Sequence, residues 1–202
     1  MTGGTMTESR IILASASPRR IEIFRDHGVF PDVIPSGIDE TLPFAMDPYD
    51  TTMYLSLKKA VDVSETAPGS MTVIAADTVV YDPPSAPGAY GEIMGKPQDE
   101  NDAFRMLMSL RGRTHQVITG VCLIRPEKHI KRCFYDVTYV TFCNYPEEEI
   151  RDYLKTPEAY DKAGAYAIQE TFGKYAVDVR GSELNVIGFP WEKYCEVTET
   201  MF

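Results

Sequence analysis

The chain has 202 residues, 44% of them hydrophobic and 25% charged, with a formal net charge of −10. Those proportions suit a globular protein with a sizeable core, and the acidic balance argues against a nucleic-acid polymer or an anionic membrane as partner. No apolar run approaches the roughly 20 residues of a membrane span, and Met1 to Arg10 is polar without a signal-peptide core, so a cytoplasmic protein with an N-terminal tail over residues 1–10 is expected.

The apolar run Ile11-Ile12-Leu13 precedes Ala14-Ser15-Ala16-Ser17-Pro18-Arg19-Arg20 and then Ile21-Glu22-Ile23-Phe24, which reads as strand, tight turn and helix start. Pro18 suits the first helical position, where its missing N–H is no loss. Backbone N–H groups, two hydroxyls and two guanidinium groups then share one place, which either receives an anion such as phosphate or is a capped surface helix with solvated arginines. An acidic chain that binds a small polyanion must gather its few cations in one cleft, which makes Arg19-Arg20 informative.

Gly28 suits a helix end, and Phe30 to Pro35 a short second strand. Ser36 to Glu40 is a loop ending in two carboxylates. Asp47-Pro48 opens a helix with Met53, Leu57, Ala60 and Val61 expected on its buried face, while Lys58 and Lys59 diverge by about 100°, so only one faces a shared site. Met71 to Tyr81 is the most strand-like run, and Asp77 within it is an anomaly, because an unpaired carboxylate in an apolar strand costs several kcal/mol. It is either a satisfied structural aspartate or a functional one.

After the Pro/Gly/Ser loop of residues 82–91, Gly95-Lys96-Pro97 presents a lysine in a rigid turn. Asp99 caps a helix to about Leu110, and His115 is expected in a turn or at a sheet edge. Gln116 to Arg125 and Cys133 to Cys143 form a hairpin. Pro146 to Glu149 starts a helix with acids where its dipole favours them. Asp161 to Glu170 is rich in small residues, and a last helix starts at Pro190. Cys122, Cys133, Cys143 and Cys195 show no metal-ligand spacing and are expected to be reduced. Strands and helices alternate without a clear linker, so the class is α/β with a mixed sheet.

As an ordered set, Ser15-Ala16-Ser17-Pro18-Arg19-Arg20, Asp39-Glu40, Lys59-Ala60, Ala76-Asp77-Thr78-Val79-Val80, Gly95-Lys96-Pro97, Thr114-His115-Gln116-Val117 and Asp161-Lys162-Ala163-Gly164-Ala165-Tyr166-Ala167-Ile168-Gln169 resemble the Maf family of nucleoside triphosphate pyrophosphatases, also called septum-formation proteins. Gly181-Ser182, Asn185-Val186 and Gly188-Phe189-Pro190 extend the resemblance to the C-terminus. It implies one domain over residues 11–202 with an elongated mixed sheet, two lobes around a cleft and a fold like that of inosine triphosphate pyrophosphatases. It further implies a homodimer that hydrolyses a nucleoside triphosphate to the monophosphate and pyrophosphate with a divalent metal, Mg²⁺ or alternatively Mn²⁺. The dTTP/UTP branch is the nearest, with specificity positions at Arg20, Thr78 and Gln169. The chain departs from the family pattern in a longer Pro83–Gly91 loop and in Phe189, where leucine is usual.

On that resemblance, Glu40 and Asp77 are expected to bind the metal and activate water, Asp77 as proton acceptor or as the group that orients the water. Arg19, Lys59 and Lys96, with Ser15, would hold the phosphates. Arg20 with Gln169 would select keto pyrimidines while Thr78 trims the pocket. The rivals are a pyrophosphatase for 7-methyl-GTP or other modified nucleotides, and a nucleotide-binding regulator of division without turnover. A purely structural domain would leave Asp77 unexplained.

Overall fold

The computed structural model describes residues 10–84, 86 and 90–199. The expected N-terminal tail, apart from Arg10, and part of the Pro83–Gly91 loop lie outside the described residues. β1 (Ile11–Leu13) leads through a four-residue turn into α1 (Pro18–Asp26). Gly28 has φ +75°, the left-handed conformation that closes a helix without Cβ strain. The second strand pairs over Asp32–Val33 alone (β2), because Pro31 and Pro35 on either side have no N–H to extend the ladder.

α2 (Pro48–Ser64) starts at Asp47, whose carboxylate accepts from the Asp50 N–H at 2.8 Å. Its buried face differs from the expected one. Ala60 is buried, but Met53, Leu57 and Val61 are only half-buried, whereas Thr52, Leu55, Ser56 and Val63 turn inward. Thr52 and Ser56 can do so because their hydroxyls donate to carbonyls three residues back, each at 2.9 Å, and need no partner on the sheet.

β3 (Thr72–Asp82), β5 (Thr114–Arg125) and β6 (Ile130–Phe142) form the long antiparallel centre of the sheet, and β7 (Ala176–Arg180) closes one edge. Among the described residues the strand order is β2-β1-β3-β5-β6-β7, with β4 (Glu92–Met94) also on β3. Parallel β1 covers Thr72 to Ile74, and antiparallel β4 covers Val80 to Asp82. Between them, among the described residues, β3 has an edge without a strand partner from Ala75 to Val79.

Along β3 side chains alternate. Val73 and Ala75 face α2 in a core with Ile12, Ala60, Val63 and Cys122. Ile74 and Ala76 face α1 and α6 (Trp191–Glu199) in a core with Leu13, Phe24 and Phe189. Phe189 is fully buried, 4.7 Å from the Phe24 ring and 5.5 Å from Tyr194, so an aromatic cluster accommodates it. A third core, at the other end of the sheet, joins α3 (Glu100–Leu110), α4 (Glu147–Tyr153), Tyr166 and Phe172. Short α5 (Glu183–Ile187) packs on β5 and β6.

His115 is neither in a turn nor at an edge: it is wholly buried in β5, its Nε2 2.7 Å from the Tyr166 hydroxyl. Burial, aided by the charge of Arg113, pushes its pKa down to about 3. Cys122 and Cys133 face each other across β5 and β6, and all four cysteines are free. α2 crosses β5 in backbone contact at Gly120, where an added Cβ would meet the Thr52 carbonyl oxygen at 2.5 Å and the Met53 nitrogen at 2.6 Å.

Two outcomes follow from this packing. Gly120→Ala must push α2 off the sheet and should cost about 1–3 kcal/mol in urea unfolding; a neutral change would contradict the backbone contact. His115 is neutral in the fold but protonates near 6.5 when unfolded, so its contribution is intact above that pH and is lost as pH falls toward 3. The slope is at most about 1.4 kcal/mol per pH unit. Unfolding midpoints at pH 7 and pH 5 should differ less in His115→Gln than in the unaltered protein.

Candidate active site

The open stretch of β3 is the floor of a cleft of about 530 Å³, a size suited to a small-molecule ligand. All nine residues singled out in the sequence line it: Ser15, Arg19, Arg20, Glu40, Lys59, Asp77, Thr78, Lys96 and Gln169. They come from the β1–α1 turn, the first turn of α1, the 36–40 loop, α2, β3, the 95–97 turn and the 161–169 segment. With Lys162 and Asp161 added, five cationic side chains face three carboxylates in the cleft of a chain that is acidic as a whole.

Asp77 and Thr78, consecutive on β3, point to opposite faces as strand geometry requires. Asp77 faces α2, where Lys59 Nζ meets its Oδ1 at 2.6 Å and Glu40 Oε1 at 2.8 Å. The Lys59 and Asp77 side chains are 13% and 10% exposed, against 59% for Glu40. The buried carboxylate is thus paired, and its Oδ2 makes no hydrogen bond among the described residues. Lys58, one position away, instead donates to the Asp39 carbonyl oxygen, which satisfies the expectation that only one of the two lysines serves the site. Two carboxylates thus converge beside one ammonium, and hard oxygen donors of this kind suit a divalent cation.

Thr78 faces α1, where Arg20 is held on three sides. Its Nε donates to the Gly188 carbonyl at 2.8 Å, Nη1 to Ser15 Oγ at 3.3 Å and Nη2 to Thr78 Oγ1 at 3.1 Å. One N–H on each of Nη1 and Nη2 is left over. Burial lowers the proton affinity of this guanidinium and the Asp77 charge opposes that effect. Ser15 Oγ also accepts from the Ser17 N–H at 3.2 Å, so with both lone pairs engaged its own proton is available to an anion. The Ser17 side chain makes no capping bond, contrary to the capped-helix alternative, and leaves the first turn of α1 uncapped by its own side chain beside the cleft.

Arg19 Nη1 pairs with Asp161 Oδ2 at 3.0 Å, and buried Lys162 reaches Asp161 Oδ1 at 2.7 Å and Glu170 Oε2 at 2.9 Å. Burial raises the Asp161 pKa, but bonds from Lys162 and Arg19 hold it below the usual carboxylate value. Lys96 and Gln169 are exposed, and Lys96 forms no ion pair among the described residues. Sequence reasoning gave Asp161 and Lys162 no separate role; the sign to follow was a charged pair opening a run of small residues.

A family model, that of the Maf-like proteins, matches residues 10–201. The chain is 40% identical to the dTTP/UTP pyrophosphatase of Caldicellulosiruptor saccharolyticus, over 91% of this chain and 90% of that protein. It is 42% identical to the dTTP/UTP pyrophosphatase of Thermococcus kodakarensis, over 95% and 97%. Among solved structures it is similar to the nucleoside-triphosphatase / dITP/XTP pyrophosphatase of Mycobacterium abscessus, with TM-score 0.42 and 15% identity over 68% of this chain and 76% of that one.

The difference in burial between the two acids on Lys59 is measurable. Lys59→Met strands the Asp77 carboxylate and should lower stability by about 2 kcal/mol or more at pH 7. Glu40→Gln removes only an exposed partner and should cost less than about 1 kcal/mol. Equal losses in urea unfolding would contradict this arrangement.

Proposed function

The chain belongs to the Maf family, and on that premise we propose that it hydrolyses dTTP and UTP to the monophosphate and pyrophosphate by attack of water at the α-phosphorus. The supporting observation is the convergence of five cations and the Glu40–Lys59–Asp77 cluster on the open edge of β3. A triphosphate needs its charge countered most where the leaving pyrophosphate gathers it. Arg19, Lys59 and Lys96 do this, with the Ser15 proton and the first turn of α1 completing the cradle. We infer too that residues 11–202 act as one domain whose two ends close on the substrate as lobes.

In this reading Lys59 fixes Asp77 through Oδ1, and Oδ2 accepts a hydrogen bond from the attacking water, orients it and takes its proton. Glu40 and Asp77 would hold a divalent cation, Mg²⁺ in preference to Mn²⁺. Such a cation supplies further neutralisation of phosphate charge and a more acidic bound water. Asp161 keeps Arg19 extended along the cleft wall, and Lys162 in turn restrains Asp161. On the other face of β3, Arg20, Thr78 and Gln169 receive the base. Arg20 is donor-only and prefers a carbonyl, and the Gln169 amide adapts to either edge.

Pyrophosphate release from dTTP, UTP, CTP, dATP, GTP and 7-methyl-GTP with Mg²⁺ tests this. Release is expected to be fastest from dTTP and UTP and to fall at least about 100-fold in Asp77→Asn. Lys96→Ala should lower turnover with an unchanged unfolding midpoint, since its side chain is exposed. Preference for 7-methyl-GTP would sink the pyrimidine assignment; binding without release would leave a regulator in place of an enzyme.

A further inference from the structure

Thr119 is wholly buried on β5, directly opposite Thr78 on β3, and the chemistry above gives it no part. Its hydroxyl lies 2.9 Å from the main-chain oxygen of Asn185 and 2.9 Å from Thr78 Oγ1. A carbonyl oxygen only accepts, so the single Thr119 proton goes to Asn185. The bond between the two threonines is therefore donated by Thr78. On its other side Thr78 Oγ1 accepts from Arg20 Nη2. The Thr78 proton is thus directed inward and one lone pair is filled, so only the remaining lone pair is left for a ligand.

Asn185 anchors the chain of bonds. It is buried, its side-chain amide donates to the Val117 oxygen and to Thr138 Oγ1, both at 3.0 Å, and its N–H donates to Ser182 Oγ at 3.2 Å. The Asn185 carbonyl is therefore fixed in place, and each hydroxyl after it has one direction available for its proton.

Resting on the reading of the cleft as a nucleotide site, we propose that Thr119 is a positioning residue for base specificity: through Asn185 it makes Thr78 a pure acceptor beside the pure donor Arg20. The cleft then presents a donor next to an acceptor, 3.1 Å apart. Uracil and thymine offer the complement, a carbonyl oxygen beside a ring N–H. Cytosine offers an amino group beside an unprotonated ring nitrogen, which opposes the protein at both positions. Guanine carries the same edge as uracil, so this pair selects the keto class, and ring size must separate its members.

The test is kcat/KM for UTP, CTP and GTP with the unaltered protein, Thr119→Val and Thr119→Ser. Valine keeps the shape but removes the acceptor, and the Thr78 proton becomes free to turn to the base. The UTP preference over CTP should then fall about tenfold or more, the UTP to GTP ratio should not change, and serine should retain both. A valine variant that keeps the UTP to CTP ratio, including one that loses all activities in proportion, overturns the proposal. If the unaltered protein releases no pyrophosphate, the enzymatic reading fails separately, and binding of α,β-imido UTP and CTP to the same proteins reads the preference without turnover. Should the valine variant not fold, proton NMR of the unaltered protein decides. A slowly exchanging Thr78 hydroxyl proton with a cross-peak to Thr119 supports the relay, and one in fast exchange with water overturns it.

Discussion

The constraint on which the site depends is an incomplete strand pairing. β3 is eleven residues long, but its outer edge is shared by β1, whose last residue lies opposite Ile74, and antiparallel β4, whose last residue lies opposite Val80. The opposite edge is paired without interruption to β5 from Val73 to Tyr81, so the strand is held in register while Asp77, Thr78, Val79 and Val80 line the cleft. A rigid element with one edge uncovered places side chains more accurately than a loop would. The turns that follow β1 and β4 bring Ser15 and Lys96 to the cleft from either side.

Electrostatics follows from that placement. A carboxylate at Asp77 in a strand buried on both faces is tolerable only with a partner, and α2 supplies Lys59 at 2.6 Å. The contact of α2 with β5 at Gly120 matters here, since Gly120 is the register partner of Asp77. The helix comes close enough for a lysine to reach the strand because no side chain intervenes. The same logic governs Arg20, whose guanidinium is partly buried and satisfied by one carbonyl and two hydroxyls rather than by a direct ion pair. Its charge is felt by Asp77 and Glu40 across the cleft without a direct contact to either.

Much of this was legible in the residues. Pro18 at the start of α1, Asp47 and Asp99 as caps, and Asp77 as an anomaly in an apolar strand each carry a local signature that tertiary packing had no reason to override. The choice of Lys59 over Lys58 came from helical angle together with the resemblance. The inward face of α2 was not legible, because Thr52 and Ser56 look polar and become buryable only by bonding to their own helix. His115 looked like a turn residue beside Gly112 and Arg113, and only the distant Tyr166 makes its burial acceptable. Thr119 and Asn185 lie 66 residues apart, and nothing local in either stretch announces a bond between them.

Asp77 and Thr78 are neighbours in sequence, yet the pleat sends one toward Lys59 and Glu40 and the other toward Arg20. The sheet is therefore a partition, one peptide unit thick, between the Glu40–Lys59–Asp77 cluster and Arg20, which in the proposed function are the reaction and the choice of base. On the proposed function, residues behind Thr78 on β5 and α5 can drift and change which base is accepted without disturbing the carboxylates on the far face. Slippage of β3 by a single residue would exchange the two jobs. On that function the long ladder to β5 preserves the division of labour as well as the fold, and new specificities can arise on one side while the old chemistry persists on the other.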